Sequence, residues 1–223
     1  MLKRLVMFTA VATLVAALPA SAQSKRVEIG VTAGWVFSDG VDGDPFLAGD
    51  GNIYDRVDPQ DSFSWGLNLG FLVGENAEVG FLFGQQMSTL EADGTATREI
   101  GDFDINTYHG YFAYNFGPSD ASVRPYVLAG LGATSYGALD FPRADGSTAE
   151  IGGETQFSTT WGAGVKFGGN SPYGGRFGVR WTPTYIKTDS VGWWCDPFWG
   201  CYVVGNAQYA NQWEFNGGIM LRF

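Results

Sequence analysis

One histidine, two cysteines and several knots of carboxylates are the groups in this 223-residue sequence whose chemistry reaches beyond packing. His109 would act as a general base only with a nucleophile and an orienting partner in reach of its imidazole. No serine or carboxylate stands at a matching spacing within its own segment, and partners from other segments stay open. Residue parity sets His109 on the same face as Thr107 and Ala113, so a hydrogen-bonded structural histidine is the expectation. The stretch DGVDGD at 39–44 has the oxygen ligands for Ca²⁺ or Mg²⁺ but lacks the spacing of a calcium loop. No phosphate loop, zinc signature or dinucleotide fingerprint occurs, so no catalytic residue, no metal site and no cofactor are expected.

The chain's beginning decides where such groups would work. Lys3 and Arg4 precede an apolar run from Leu5 to Leu18 and then Ala20-Ser21-Ala22, the pattern of a secretory signal peptide. Residues 1–22 are therefore expected to be cleaved, leaving one domain over 23–223. That domain keeps 11 basic and 23 acidic residues, a net charge of −12, which argues against nucleic acid as a partner. In an exported chain, Cys195 and Cys201 are expected to form a disulfide, with Pro197 and Gly200 favouring a turn between them. Two thiols are too few for a zinc site.

The elements that would position these groups follow a period of two. Val27, Ile29, Val31, Ala33, Trp35 and Phe37 alternate with small or polar residues, as do Phe63, Trp65, Leu67, Leu69, Phe71 and Val73. Six further segments repeat the pattern: one around Val79–Phe83, others from Tyr108, Val123, Phe157 and Phe177, and the last from Trp213 to Phe223. With 33 glycines and 16% aromatics, the composition predicts an all-β fold of eight strands. Three connections are short, GENA, GPSDAS and GGNSPYGG, and they alternate with four long ones at 38–61, 88–104, 139–155 and 188–208. Alternating turns and long loops, with rows of Phe, Trp, Val and Leu on one face, predict an eight-stranded antiparallel up-and-down transmembrane β-barrel whose apolar face meets lipid. No stretch after the leader reaches some 18 apolar residues, so no membrane helix is predicted.

The small-residue face carries charges of both signs: Glu28, Glu78 and Glu214 against Arg124, Lys166, Arg176, Arg180 and Arg222. In so narrow a barrel these would fill the lumen as an ion-paired plug, and the rival is a thin conduit. The long connections hold 18 of the 23 acidic residues, so the outer rim is predicted to be acidic. Trp193, Trp194, Phe198, Trp199 and Tyr202 surround the cysteines. They would lie at the membrane–water boundary or form an exposed contact knob.

The leader, the eight strands, RPYVLAGLGA at 124–133 and the terminal FNGGIMLRF together resemble the small outer-membrane β-barrels of Gram-negative bacteria, the opacity-type and outer-membrane-protein-A-like surface proteins. The resemblance covers nearly the whole mature chain. It implies the cell outer membrane as location, outer-membrane lipid and lipopolysaccharide as surroundings, and Phe223 as a terminal signal read by the barrel-assembly machinery. A non-catalytic monomer is expected, structural or adhesin-like through its acidic outer loops. A narrow channel or small-hydrophobe conduit is the alternative, and a lipid A-modifying enzyme the more distant one.

Overall fold

The computed structural model describes residues 26–142, 145–196 and 200–223, with side chains described except at 44, 46, 141–142, 149–151, 187–196 and 200–207. The proposed leader, 1–22, lies outside the described residues. Among the described residues twelve strands follow one another: β1 (Val27–Ser38), β2 (Val41–Leu47), β3 (Ile53–Pro59), β4 (Ser62–Val73), β5 (Ala77–Gly94), β6 (Arg98–Asn115), β7 (Val123–Tyr136), β8 (Ala138–Pro142), β9 (Thr148–Gly152), β10 (Thr155–Phe167), β11 (Tyr173–Asp196) and β12 (Gly200–Arg222).

Eight of them close a barrel. The order β1-β4-β5-β6-β7-β10-β11-β12 returns to β1, all pairs antiparallel, with Glu28 opposite Arg222 and Trp35 opposite Phe215 in the closing pair. Closure gives every strand a partner on both sides, which hydrocarbon demands because it offers backbone groups no hydrogen bonds. The chain's two described ends meet at this seam, where the Phe223 carbonyl accepts from the amide of Arg26 at 2.7 Å. At the end carrying both termini, the β4–β5 and β6–β7 turns begin at Gly74 and Gly117, whose positive φ of 76° and 82° other residues rarely adopt.

The alternation has the consequence its period predicts. Phe63, Leu67, Leu69, Phe71 and Val73 of β4 are exposed on the outer surface, while Ser64 and Asn68 are buried. A row of rings, Trp161 opposite Trp181 and Trp181 opposite Trp213, edges the outer surface toward the long connections. There the Trp181 and Trp213 rings stack at 5.8 Å, and the Trp181 indole donates to Asn211 Oδ1 at 3.1 Å. Such amphipathic rings suit the boundary between bilayer and water.

The long connections differ from the expected loops. A transmembrane strand needs about 9–11 residues, yet β5 and β6 have 18 each and β11 and β12 have 24 and 23. Pairing therefore runs well beyond the bilayer. The segment 38–61 folds as the β2–β3 hairpin, whose β3 extends the barrel wall against the top of β5, and 139–155 contains the separate β8–β9 hairpin. The reason is visible along β5. Its outward residues change from Val79, Phe81 and Phe83 to Gln85, Met87, Thr89, Glu91 and Asp93, while its inward ones run from Glu78 and Leu82 through Gln86 and Ser88 to Leu90 and Ala92. β6 inverts at the same level, with Asn106 opposite Gln85, with Phe103 and Ile105 buried and with Asp102 and Asp104 outward. Side-chain parity holds along β5, and the register against β6 shifts once, between Leu90 and Glu91; the medium outside has changed from lipid to water.

Candidate functional site

The lumen at the membrane level is built from single inward residues that meet across it from several strands. Lys166 of β10 donates to Glu28 Oε2 of β1 at 2.5 Å and also pairs with Glu78 of β5. Glu28 accepts a second bond from Arg222 Nε at 2.9 Å, and Glu78 accepts from the Tyr111 hydroxyl at 2.5 Å and the Asn115 amide at 3.2 Å. Arg124 donates to the Glu75 carbonyl at 2.8 Å. Arg176 donates to the Tyr126 hydroxyl at 2.9 Å. Nearer the outside, Glu214 pairs with Arg180 and accepts from Ser64 Oγ at 2.9 Å. Above them Gln212 donates to Gln86 Oε1 at 2.7 Å. Buried charge is tolerated only when it is paired and hydrogen-bonded: Glu28 and Glu78 each accept from more than one donor, and Glu214 combines one hydrogen bond with its Arg180 ion pair.

Aromatic rings complete the filling: Tyr111 shares the parity of His109 and Ala113, and Tyr126 that of Arg124, although neither is among the inward residues named from the sequence. Tyr111 and Tyr126 pack with Leu82, Ala113 and Leu128 in a buried cluster inside the barrel. Inward glycines make the room: a Cβ at Gly80 would stand 2.6 Å from the Tyr111 ring, and one at Gly178 would stand 2.5 Å from the Tyr126 hydroxyl. The available signal was the run of inward glycines itself, since a small residue on one strand leaves space for a ring from the next.

His109 is 1% exposed, and its Nε2 lies 2.9 Å from Ser158 Oγ. Ser158 accepts from Thr134 at 3.0 Å, and Thr134 accepts from Thr184 at 3.0 Å. The serine that the strand of His109 lacks thus comes from β10. No carboxylate orients the imidazole among the described residues, because Nδ1 has no partner. Ser158 is itself 1% exposed. The pair has the elements of a hydroxyl–imidazole contact without a path for substrate.

On the outer side, Asp42 of DGVDGD pairs with Arg56 at 3.0 Å, and Arg98 pairs with Asp50 at 3.1 Å. Among the described residues, no three His, Cys, Asp or Glu side chains gather as a metal site would require. Asp50 closes the β2–β3 hairpin, accepting from the Asn52 amide at 3.0 Å and the Tyr54 hydroxyl at 2.8 Å. The backbone bond from Asn52, followed by that from Tyr54, lowers its pKa to about 2.

The β11–β12 ribbon sets Cys195 directly opposite Cys201 and Trp194 opposite Tyr202, and Trp193 stands opposite Val203. Phe198 and Trp199 lie outside the described residues.

A closed eight-stranded barrel with an apolar exterior and an ion-paired interior is an outer-membrane protein by construction. The family model for the outer membrane protein beta-barrel domain matches residues 8–223, and the chain belongs to that family. It lies in the outer membrane of a Gram-negative bacterium. Among solved structures, the fold is similar to OprG, an outer membrane protein from Pseudomonas aeruginosa, with a TM-score of 0.56 and 12% identity over 89% of this chain and 97% of that one. It is also similar to Neisserial surface protein A, with a TM-score of 0.54 and 14% identity over 88% and 97% of the two chains. The outer membrane protein AlkL, determined in lipid bilayers, gives a TM-score of 0.52 and 14% identity over 92% and 95%. Comparison with curated protein sequences yields no match. At such identities the likeness is one of fold.

Proposed function

We propose that this chain is a non-catalytic surface protein of the outer membrane, monomeric, whose working surface is its β-structured, acidic extracellular part. The carrying observation is the joint behaviour of β5 and β6. Above the bilayer they remain paired while their outer faces become acidic, and below that level the lumen is occupied by paired side chains. An ordered ribbon presents side chains in fixed order, which lowers the entropic cost of contact with a partner. Residues 1–22 act in this reading as a cleaved leader, Phe223 as the assembly signal, and Cys195–Cys201 as a disulfide that stiffens the aromatic tip of the β11–β12 ribbon.

The test compares the intact barrel with one in which residues 191–205 are replaced by a short Gly-Ser turn. Vesicles carrying each are scored for adherence to epithelial cells and matrix glycoproteins. Adherence that falls on trimming supports the reading, and adherence identical to that of empty vesicles for both proteins overturns it. The conduit alternative needs the Gln86–Gln212 and Arg180–Glu214 contacts to part. Steady single-channel current through the unmodified barrel would favour that alternative.

A further inference from the structure

Above the Gln86–Gln212 contact, the inverted faces of the extended strands enclose a cavity of about 310 Å³. Leu90, Phe103 and Tyr136 form its apolar wall together with Val57, Ile186 and Ala210, drawn from six different strands. The same inward residues make a small core on the water side of the bilayer, where Leu90, Phe103 and Ile105 pack with Val57, Ile100, Tyr136 and Leu139. A core that served packing alone would leave few voids larger than a water molecule. A cavity of this size, apolar with a few polar groups at its margins, has the proportions of a small-molecule site.

Its ends define what fits. Gln212 lines the cavity and is hydrogen-bonded to Gln86, and the ion-paired Glu214 follows two residues further down β12, so the space ends in a floor. Among the described residues, the polar lining includes two carboxylates, Asp39 and Glu154, and neither lysine nor arginine. Glu154 accepts from the Gln156 amide at 2.5 Å, and both acids stand on exposed residues. An apolar wall with an anionic margin is complementary to a compact apolar body bearing a cationic nitrogen.

We propose that this cavity is a binding site, open to the outside and closed toward the periplasm, for a small hydrophobic amine with its ammonium group held near Asp39 and Glu154. The site stands independently of adhesion by the ribbon tip, because its wall lies within the barrel mouth. It retains ligand and does not pass it, because the floor below is hydrogen-bonded and ion-paired.

The chain is reconstituted in lipid nanodiscs and titrated with 4-phenylbutylammonium, and with 4-phenylbutanol and 4-phenylbutanoate as neutral and anionic counterparts. Binding is read by calorimetry and by methyl NMR shifts of Leu90, Val57 and Ile186. Saturable binding of the amine, roughly tenfold tighter than the alcohol, with shifts confined to those methyls, is the expected result. Leu90→Trp and Ala210→Phe each fill the cavity and should weaken binding by roughly tenfold or more. The double variant Asp39→Asn/Glu154→Gln should reduce the amine to the affinity of the alcohol. Folding of each variant is checked by its heat-modifiable gel mobility, and the methyl shifts of the unmodified chain decide the matter if a variant does not fold. Uptake equal to that of empty nanodiscs, binding blind to charge, or shifts remote from the cavity would each overturn the proposal.

Discussion

Lys166 and Glu78 form an ion pair across the barrel, from β10 to β5, two strands that are not neighbours in the wall. Both are almost fully buried, at 3% and 2% side-chain exposure. The pair therefore ties opposite sides of the cylinder together, and Glu28 of β1 joins it through the same ammonium. Strand hydrogen bonds act only between neighbours, so these side chains supply the cross-lumen connection.

Removing the cation alone should be costly. Lys166→Met leaves Glu28 and Glu78 buried with one positive partner fewer, and breaking a buried pair from one side costs about 3–5 kcal/mol. Urea unfolding in lipid vesicles should show a loss in that range. The double variant Lys166→Met/Glu78→Gln should recover part of it, since the stranded charge is gone. A double variant less stable than Lys166→Met would contradict the ion-pair account.

The change of medium along β5 gives a second expectation. Phe81 faces outward within the apolar belt, and Thr89 faces outward above it. Phe81→Lys should cost about 2–4 kcal/mol, whereas Thr89→Lys should cost about 0–1 kcal/mol, because the lipid-face penalty falls away near the interface. Equal penalties at the two positions would place the boundary elsewhere.

That boundary also explains what the sequence disclosed and what it withheld. Eight strands were legible because lipid-facing rows such as Phe63 to Val73 leave a period-two signal of large apolar residues. The upper halves of β5 and β6 carry the same period, but there the apolar residues Leu90, Phe103 and Ile105 point inward while carboxylates point out. Read by acidity alone, those segments resemble loops. Parity also carries Tyr111 and Tyr126 inward, but a large ring on the small-residue face suggests lipid until the glycines opposite show the space for it. The inward charges, by contrast, followed from parity, but which partners meet across the lumen depends on strand register, which no local pattern encodes.

Acid should loosen the β2–β3 hairpin in a defined window. The ordinary value for Asp50 is 3.8, and its pKa in the folded chain is about 2. A carboxylate whose pKa is lowered on folding contributes stability above its unfolded value and loses it as pH falls through the folded one. Carboxyl NMR should therefore show Asp50 titrating near pH 2, with amide protection at Asn52 declining between about pH 4 and pH 2. An Asp50 midpoint at the ordinary value would remove this role.

The backbone register that sets Cys195 opposite Cys201 makes the proposed disulfide chemically testable. Protein exported to an oxidising compartment should resist alkylation until reduced and then take up two labels. Replacing both cysteines by serine should speed protease cleavage near the ribbon tip, with little change in global unfolding, because the tip lies beyond the barrel. Immediate labelling of both thiols in the oxidised protein would exclude the bond.

His109 and Ser158 give the sharpest test of the non-catalytic reading, since they form the hydroxyl–imidazole contact that an acyl-transfer enzyme would use. A working pair needs the oxygen open to substrate and the second ring nitrogen oriented, yet both residues are 1% exposed and Nδ1 has no partner among the described residues. Ser158 is tied instead into a hydroxyl row with Thr134 and Thr184. The contact is then structural, and losing a buried hydrogen bond costs about 1–3 kcal/mol. His109→Ala should lower unfolding stability by about that amount while the mass spectrum of lipid A from cells expressing it stays that of the unmodified chain. Lipid A masses that change with the unmodified chain and revert in His109→Ala would make the buried pair catalytic, and the surface-protein reading would fail at that point.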